Sequence, residues 1–387
     1  MKYGKQFLSG AAAVLMGAGI AFSSQASAET LRYALGYPSG SDATKAAENY
    51  AEKVSTYSDG ELSVRVYPLS LLNFAETSAG VRDGIADIGY LLTAYFPSEY
   101  AHTNLIAEAA MQMQLLGDEV HGREGPAYVG AMLEYIFSSC PECHQEYAQQ
   151  NQVFTGLASS SNYGLHCNAP VRTLEELDGK RLRAAGSQWS RWANEFGATP
   201  VTMSGNEALE ALRQGIVDCV IISTPDLANL GIIEATTDTT IDIPGGVFAG
   251  AAITSINRDV WQSLNDTQRG ALLRAAAYIS AEIPWVYHQR EEEVLERAKE
   301  ERGLRVHQAS PELMEATREF VERDMETIVE VYRGQRGVQR GAEMLEEFRP
   351  ILERWVELVS DVNSEEELAE LYWKEVLSKV DPTEHGL

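Results

Sequence analysis

Val81-Arg82-Asp83-Gly84-Ile85-Ala86-Asp87-Ile88 and Leu212-Arg213-Gln214-Gly215-Ile216-Val217-Asp218-Cys219 say the same thing at two distant places in the chain. Each reads as the end of a helix, a glycine suited to a left-handed cap, and the start of an apolar strand. The runs that follow, Ile88 to Leu92 and Val220 to Ile222, are nearly all apolar, the pattern of buried parallel strands. Each run ends in small polar residues, Thr93 in the first and Ser223-Thr224 in the second. In open α/β sheets, ligands sit beyond the carboxyl ends of the strands. The repeated unit therefore predicts an α/β protein of two lobes, with matching strand ends facing each other across a cleft.

Outward from the first copy, the pattern holds. Leu31 to Leu35 is a short apolar run, and Tyr37-Pro38-Ser39-Gly40 is a turn. Asp42 is placed to cap a helix whose apolar face is Ala46, Ala47, Tyr50, Ala51 and Val54. Leu62, Val64 and Val66 alternate with polar residues as a half-buried strand does. A further helix is predicted over Phe74–Asp83. Helix and strand alternate, which is the signature of α/β layers. Outward from the second copy the chain becomes helical. From Asn265 to Gly303 no turn cluster interrupts a pattern of Leu272, Leu273, Ala276, Ile279, Ile283 and Val286. At 1.5 Å per residue this helix spans roughly 55 Å, enough to brace two lobes. Pro284 is expected to kink it. The tail from Pro311 to Val380 also reads as helical, with Arg349-Pro350 as the expected interruption. Residues 29–157 and 245–270 are assigned to the first lobe and 158–244 to the second. Residues 271–387 are assigned to the kinked helix and the C-terminal helices lying across both.

The first residues read as an export signal. Lys2 and Lys5 form a basic start, Phe7 to Phe22 carries no charge, and Ala26-Ser27-Ala28 is an A-x-A cleavage site. The apolar stretch is too short to make a convincing membrane span. Cleavage after Ala28 is expected, and no cysteine follows to take a lipid. The full chain of 387 residues has a formal charge of −26, which becomes −28 without the two leader lysines. Such a charge argues against nucleic acid, which wants a basic patch. It also means that an anion-binding pocket must be built against the field of the whole protein, so an individual buried arginine is informative.

The segment Pro170-Val171-Arg172-Thr173-Leu174-Glu175-Glu176-Leu177-Asp178-Gly179-Lys180-Arg181-Leu182-Arg183 resembles the signature of the substrate-binding proteins of TRAP transporters, the DctP-like family. The resemblance continues through Phe196-Gly197-Ala198-Thr199-Pro200-Val201, Glu207, Leu209 and Gly215-Ile216-Val217-Asp218, and returns at Ile256-Asn257-Arg258-Asp259-Val260-Trp261. It implies a two-lobed periplasmic binding protein with a ligand cleft between the lobes. Such a protein binds a small organic acid and delivers it to the membrane permease subunits of the transporter. The receptor is expected to be periplasmic, monomeric, not membrane-embedded, free of cofactor and not an enzyme. In this family a strand arginine pairs with the ligand carboxylate, and Arg183 matches that position. A guanidinium offers two parallel donors to a carboxylate and keeps its charge when buried. Arg181, two residues earlier, is read as a charge on the lobe surface.

Departures from the family pattern bear on the ligand. Tyr163 stands where many relatives carry a second arginine, and Gly205 where many carry an aromatic residue. Ser223 or Thr224 replaces the asparagine that commonly follows the Val-Asp-Gly strand. These changes imply a less charged pocket, suited to a monocarboxylate with an apolar or hydroxylated remainder. Tyr95, Phe96, Trp189 and Phe248 lie at predicted strand ends and are candidate aromatic walls.

One motif points elsewhere. Cys140-Pro141-Glu142-Cys143-His144 matches the C-x-x-C-H pattern of c-type haem attachment. In an exported redox or haem protein the cysteines would form thioethers and His144 would ligate iron. Ser139 as helix cap and Pro141 in the first turn would suit a reactive dithiol. Zinc lacks an evident fourth ligand. The plain alternative is a disulfide, within the pair or to Cys167 or Cys219, and four cysteines allow three pairings. No G-x-S-x-G, H-E-x-x-H or P-loop occurs. His166 reads as structural, and acid pairs such as Glu207 with Asp218 arise freely in so acidic a chain, so they are a weak signal of a catalytic dyad.

Overall fold

The computed structural model describes Met1 and residues 29–387, so the leader and its cleavage site lie outside the described residues. Its eleven strands are β1 (Glu29–Leu35), β2 (Leu62–Pro68), β3 (Ile88–Leu92), β4 (Gln152–Val153), β5 (Asn162–Cys167), β6 (Arg181–Ala184), β7 (Thr199–Thr202), β8 (Cys219–Ser223), β9 (Asp238–Val247), β10 (Ala251–Asn257) and β11 (Arg305–His307). They form two sheets, in the orders β2-β1-β3-β10-β4 and β11-β9-β5-β8-β6-β7. Each sheet is the centre of one lobe, and helices cover it.

The repeat at Gly84 and Gly215 is structural, and it extends further than eight residues. Gly84 and Gly215 both take left-handed φ, at 73° and 66°. Both close their helices with the equivalent bond, Ile85 N to Gly80 O in the first copy and Ile216 N to Ala211 O in the second, each 2.8 Å. The aspartate that ends each copy then grips the neighbouring parallel strand. Asp87 takes Arg32 through its backbone N–H, Nε and Nη2 at 2.7, 2.9 and 2.7 Å. Asp218 takes Arg181 through the same three groups at 2.8, 3.0 and 2.8 Å. Arg181 thus fixes the entry of β6, and Ala34 is the first-lobe counterpart of Arg183.

The repeat strands are not purely parallel. β3 runs parallel to β1 but antiparallel to β10, and β8 runs parallel to β6 but antiparallel to β5. Both faces are covered either way, so the apolar runs carry no record of strand direction. Ser41, not Asp42, caps the first helix, accepting from Thr44 N, and the helix Asp42–Tyr57 buries Ala43, Ala46, Ala47, Tyr50 and Val54. The helix expected over Phe74–Asp83 is confined to Thr77–Arg82, because Asn73 to Glu76 form a turn.

The chain passes between the lobes at residues 154–161 and 248–250. These crossovers lie side by side: Ala158 N donates to Ala251 O at 2.8 Å, and Ser160 N to Phe248 O at 3.0 Å. The long helix runs from Asp266 to Arg302, 37 residues, through Pro284. An Asn265–Gln268 capping box starts it and left-handed Gly303 ends it. It packs on the helix Asp42–Tyr57 of one lobe and on the helix Thr224–Asn229 of the other. The tail forms helices Pro311–Arg336, Gly341–Leu358 and Glu365–Glu375. Pro350 lies inside the second of these and does not break it. The first break falls at Gly337, whose φ of 75° forms the cap.

Candidate functional site

The strand ends of the two lobes meet as the repeat requires. β6 carries Arg183 inward, where it is 1% exposed. Its Nε donates to Met203 O at 3.2 Å, its Nη1 to Ile221 O at 3.4 Å, and its Nη2 to the Tyr95 hydroxyl at 2.8 Å. No carboxylate of the described residues comes within 4.0 Å of it. A buried guanidinium held by two carbonyls and a phenol has no carboxylate paired to it, an arrangement that favours an incoming anion.

Tyr95 reaches this arginine from the other lobe. Its hydroxyl accepts from Arg183 Nη2 and also from Gly205 N, the latter at 2.9 Å. The lobes are also tied by Asn206, which donates to Gly36 O at 2.7 Å and accepts from Phe74 N at 3.3 Å. Asn229 accepts from Asp42 N at 3.1 Å. The lobes therefore stand closed. The cavity left between them is about 30 Å³, space for roughly two waters.

Aromatic rings line that cavity on both sides. In the first lobe Tyr37 meets Phe74 and Tyr90 edge to face, with centroids 4.9 and 5.5 Å apart. In the second, Tyr163 stacks on Trp189 at 4.1 Å and 17°. Phe248, on the crossover, lies 6.3 Å from both and nearly parallel to them. Burial raises the Tyr163 hydroxyl well above its ordinary pKa, so it acts as a neutral donor or acceptor.

Of the residues singled out from sequence, Arg183, Tyr95, Tyr163 and Phe248 line the cavity together. Trp189 stands behind Tyr163, fully buried, its Nε1 donating to Gly245 O at 3.0 Å. Ser223 and Thr224 are buried but do not line it. Phe96 turns away and packs against Tyr100. Glu207 is engaged in a helix capping box with Ser204 and Asp218 with Arg181, so the two acids do not form a dyad.

Sequence reasoning missed Asp226 and Tyr287. Asp226 lies in the helix that begins after β8 and takes a hydrogen bond on each oxygen, from Ser223 Oγ at 2.8 Å and from the Tyr287 hydroxyl at 2.9 Å. Burial raises its pKa above the ordinary carboxylate value. The spacing Ser223-Thr224-Pro225-Asp226 is a capping pattern, which marks a helix start but not a cavity wall. Tyr287 arrives from the long helix, and nothing in its local sequence distinguishes it.

The cysteines pair as Cys140–Cys143 and Cys167–Cys219. Cys140 and Cys143 are buried and already bonded to each other, so neither offers a thiol for a thioether. Cys140 itself, rather than Ser139, caps the helix. His144 packs against Phe137 and His385, with ring centroids 6.0 and 5.4 Å away, and burial lowers its pKa. The C-x-x-C-H pattern is here a helix-start disulfide beside an aromatic cluster.

Residues 138–331 match the model of the family described as bacterial extracellular solute-binding protein, family 7 (DctP). Among solved structures, a TRAP solute-binding protein from Rhodoferax ferrireducens T118 in complex with copurified benzoate is 17% identical, with a TM-score of 0.71. That likeness covers 85% of this chain and 99% of the other. DctP7, a Bordetella pertussis extracytoplasmic solute receptor binding pyroglutamic acid, is 20% identical at a TM-score of 0.67, covering 83% of this chain and 100% of that one. Among curated proteins, the outer membrane transporter protein TsaT of Comamonas testosteroni is 23% identical over 262 residues, which are 67% of this chain and 73% of TsaT.

Proposed function

Because the chain belongs to the DctP family of bacterial extracellular solute-binding proteins, we propose that it is the periplasmic receptor of a TRAP transporter. It takes a small monocarboxylate into the cleft, closes on it, and presents it unchanged to the permease. Arg183 is the clamp for the carboxylate. The observation that carries this reading is a guanidinium, 1% exposed and without a carboxylate paired to it, in a cavity walled by aromatic rings. A carboxylate can take paired donors from its guanidinium, with water excluded by closure. The aromatic walls suit a ligand with a flat or apolar body, in line with the benzoate and pyroglutamate found in similar structures. Arg183 is buried where the two lobes meet, so entry and release require the lobes to part at the paired crossovers. Export with cleavage after Ala28 and action as a monomer belong to the same reading.

The test is a thermal-shift screen of the chain from Glu29 against benzoate, pyroglutamate and other small acids, with the matching amides as controls. A ligand at a hundred times its Kd stabilises the fold by about 2.7 kcal/mol. Acids are expected to stabilise the wild type and not Arg183→Ala, and amides neither. Equal stabilisation of both proteins by acids would show that the clamp lies elsewhere.

A further inference from the structure

The cavity holds two charged groups, and they are not paired. Of the side chains lining it, only Arg183 and Asp226 carry charge at neutral pH in their ordinary states; the others are aromatic, aliphatic or hydroxylated. Arg183 is spent on carbonyls and Tyr95, and Asp226 on Ser223 and Tyr287. Asp226 nevertheless lines the cavity, so a group bound there faces its carboxyl. Burial without a cation disfavours its ionised form, and a cation seated beside it would restore that form.

A simple monocarboxylate seated on Arg183 would leave this closed space with a surplus negative charge as long as Asp226 is ionised. Uncompensated charge in such surroundings is strongly penalised. A hydroxyl on the ligand would satisfy lone pairs of Asp226 but leave the charges unbalanced. A cationic nitrogen does both. The surroundings of Asp226 suit one: Tyr287 bonds to it, Tyr37 lies 3.2 Å from Tyr287 hydroxyl to hydroxyl, and Tyr90 packs on Tyr37. Tyrosine rings attract ammonium groups, quaternary ones included.

We infer that the ligand class of this site is the small zwitterion, its carboxylate held by Arg183 and its cationic nitrogen by Asp226 among Tyr37, Tyr90 and Tyr287. The inference rests on the receptor reading above, with Arg183 as clamp. Asp226 then decides specificity: it selects a cation at the far end of the ligand and rejects a second carboxylate.

The test is calorimetric titration near neutral pH of wild type, Asp226→Asn and Arg183→Ala with three pairs of equal shape. The pairs are proline and cyclopentanecarboxylate, glycine betaine and 3,3-dimethylbutyrate, and phenylalanine and 3-phenylpropionate. At least one zwitterion is expected to bind wild type about tenfold or more tightly than its uncharged-tail partner, the range of a buried charge pair. Asp226→Asn is expected to remove that preference and to tighten the plain acids. The inference is overturned if every plain acid binds wild type as well as its zwitterion, if no zwitterion binds, or if the preference survives in Asp226→Asn. Should that variant fail to fold, the wild-type ratios decide alone. Arg183→Ala separates the two readings. If it loses the plain acids while no zwitterion preference exists, the receptor reading stands and this inference falls. If it binds as wild type does, both fall.

Discussion

Cys167 and Cys219 are directly paired across β5 and β8 and joined by a disulfide, with 52 residues of sequence separation. At the other end of the same two strands, Tyr163 faces Ser223, beside the cavity. The cross-link thus closes a large loop of the second lobe at the end remote from the ligand, about 14 Å away at the rise of a strand. In the chain-entropy account a loop of this size contributes about 4 kcal/mol, while one the size of the Cys140–Cys143 loop contributes about 2 kcal/mol. The perturbation is Cys167→Ala with Cys219→Ala, set beside Cys140→Ala with Cys143→Ala. Equilibrium urea unfolding followed by tryptophan fluorescence measures both. The first double variant is expected to lose roughly twice as much stability as the second, and its ligand Kd is expected to stay unchanged. A larger loss from removing Cys140–Cys143 would refute the loop argument. A weakened Kd with intact folding would refute the separation of this cross-link from the site.

Three other perturbations test separate parts of the account. Glu282, 7% exposed, bonds Asn49 at 2.6 Å, and burial pushes its pKa up to about 7. Because the folded value lies above the unfolded one, its contribution is full below pH 4.5 and is lost as pH rises toward 7. Glu282→Gln is therefore expected to gain up to about 3 kcal/mol on wild type at pH 8 and nothing near pH 4, read from melts at both. Tyr95→Phe strips an acceptor from Arg183 and Gly205 and is expected to destabilise the ligand-free protein by about 1–3 kcal/mol. A bound carboxylate supplies acceptors instead, so the shift given by a stabilising acid should be at least as large as in wild type; a lost shift would contradict this. Trp189→Ala removes a fully buried ring stacked on Tyr163, with an expected loss of about 3–5 kcal/mol in urea unfolding and weaker acid binding.

The two lobes, the long helix and the inward strand arginine were legible in the sequence because each is locally written. Gly84 and Gly215 announce their caps, the helix from Asp266 to Arg302 has no competing turn, and Arg183 sits in a segment with strong family character. What was not legible depends on partners distant in the chain. The antiparallel pairing of β8 with β5 is set by which strand arrives beside it, not by the apolar run itself. Pro350 was expected to interrupt a helix, but Gly337, with its left-handed φ, ends one before it. Asp226 carries the local sequence of a helix-start acid, and what sets it apart is its bond to Tyr287, 61 residues onward. Trp189 stands behind Tyr163 rather than in the cleft, a distinction of depth that residue type does not encode.

The most direct measurement is a crystal structure of residues 29–387 with a bound acid from the thermal-shift screen. The account predicts both carboxylate oxygens within hydrogen-bonding distance of the Arg183 guanidinium, between Tyr95 and Tyr163, with the lobes closed over the ligand. A carboxylate bound elsewhere, with Arg183 still satisfied only by Met203, Ile221 and Tyr95, would contradict it.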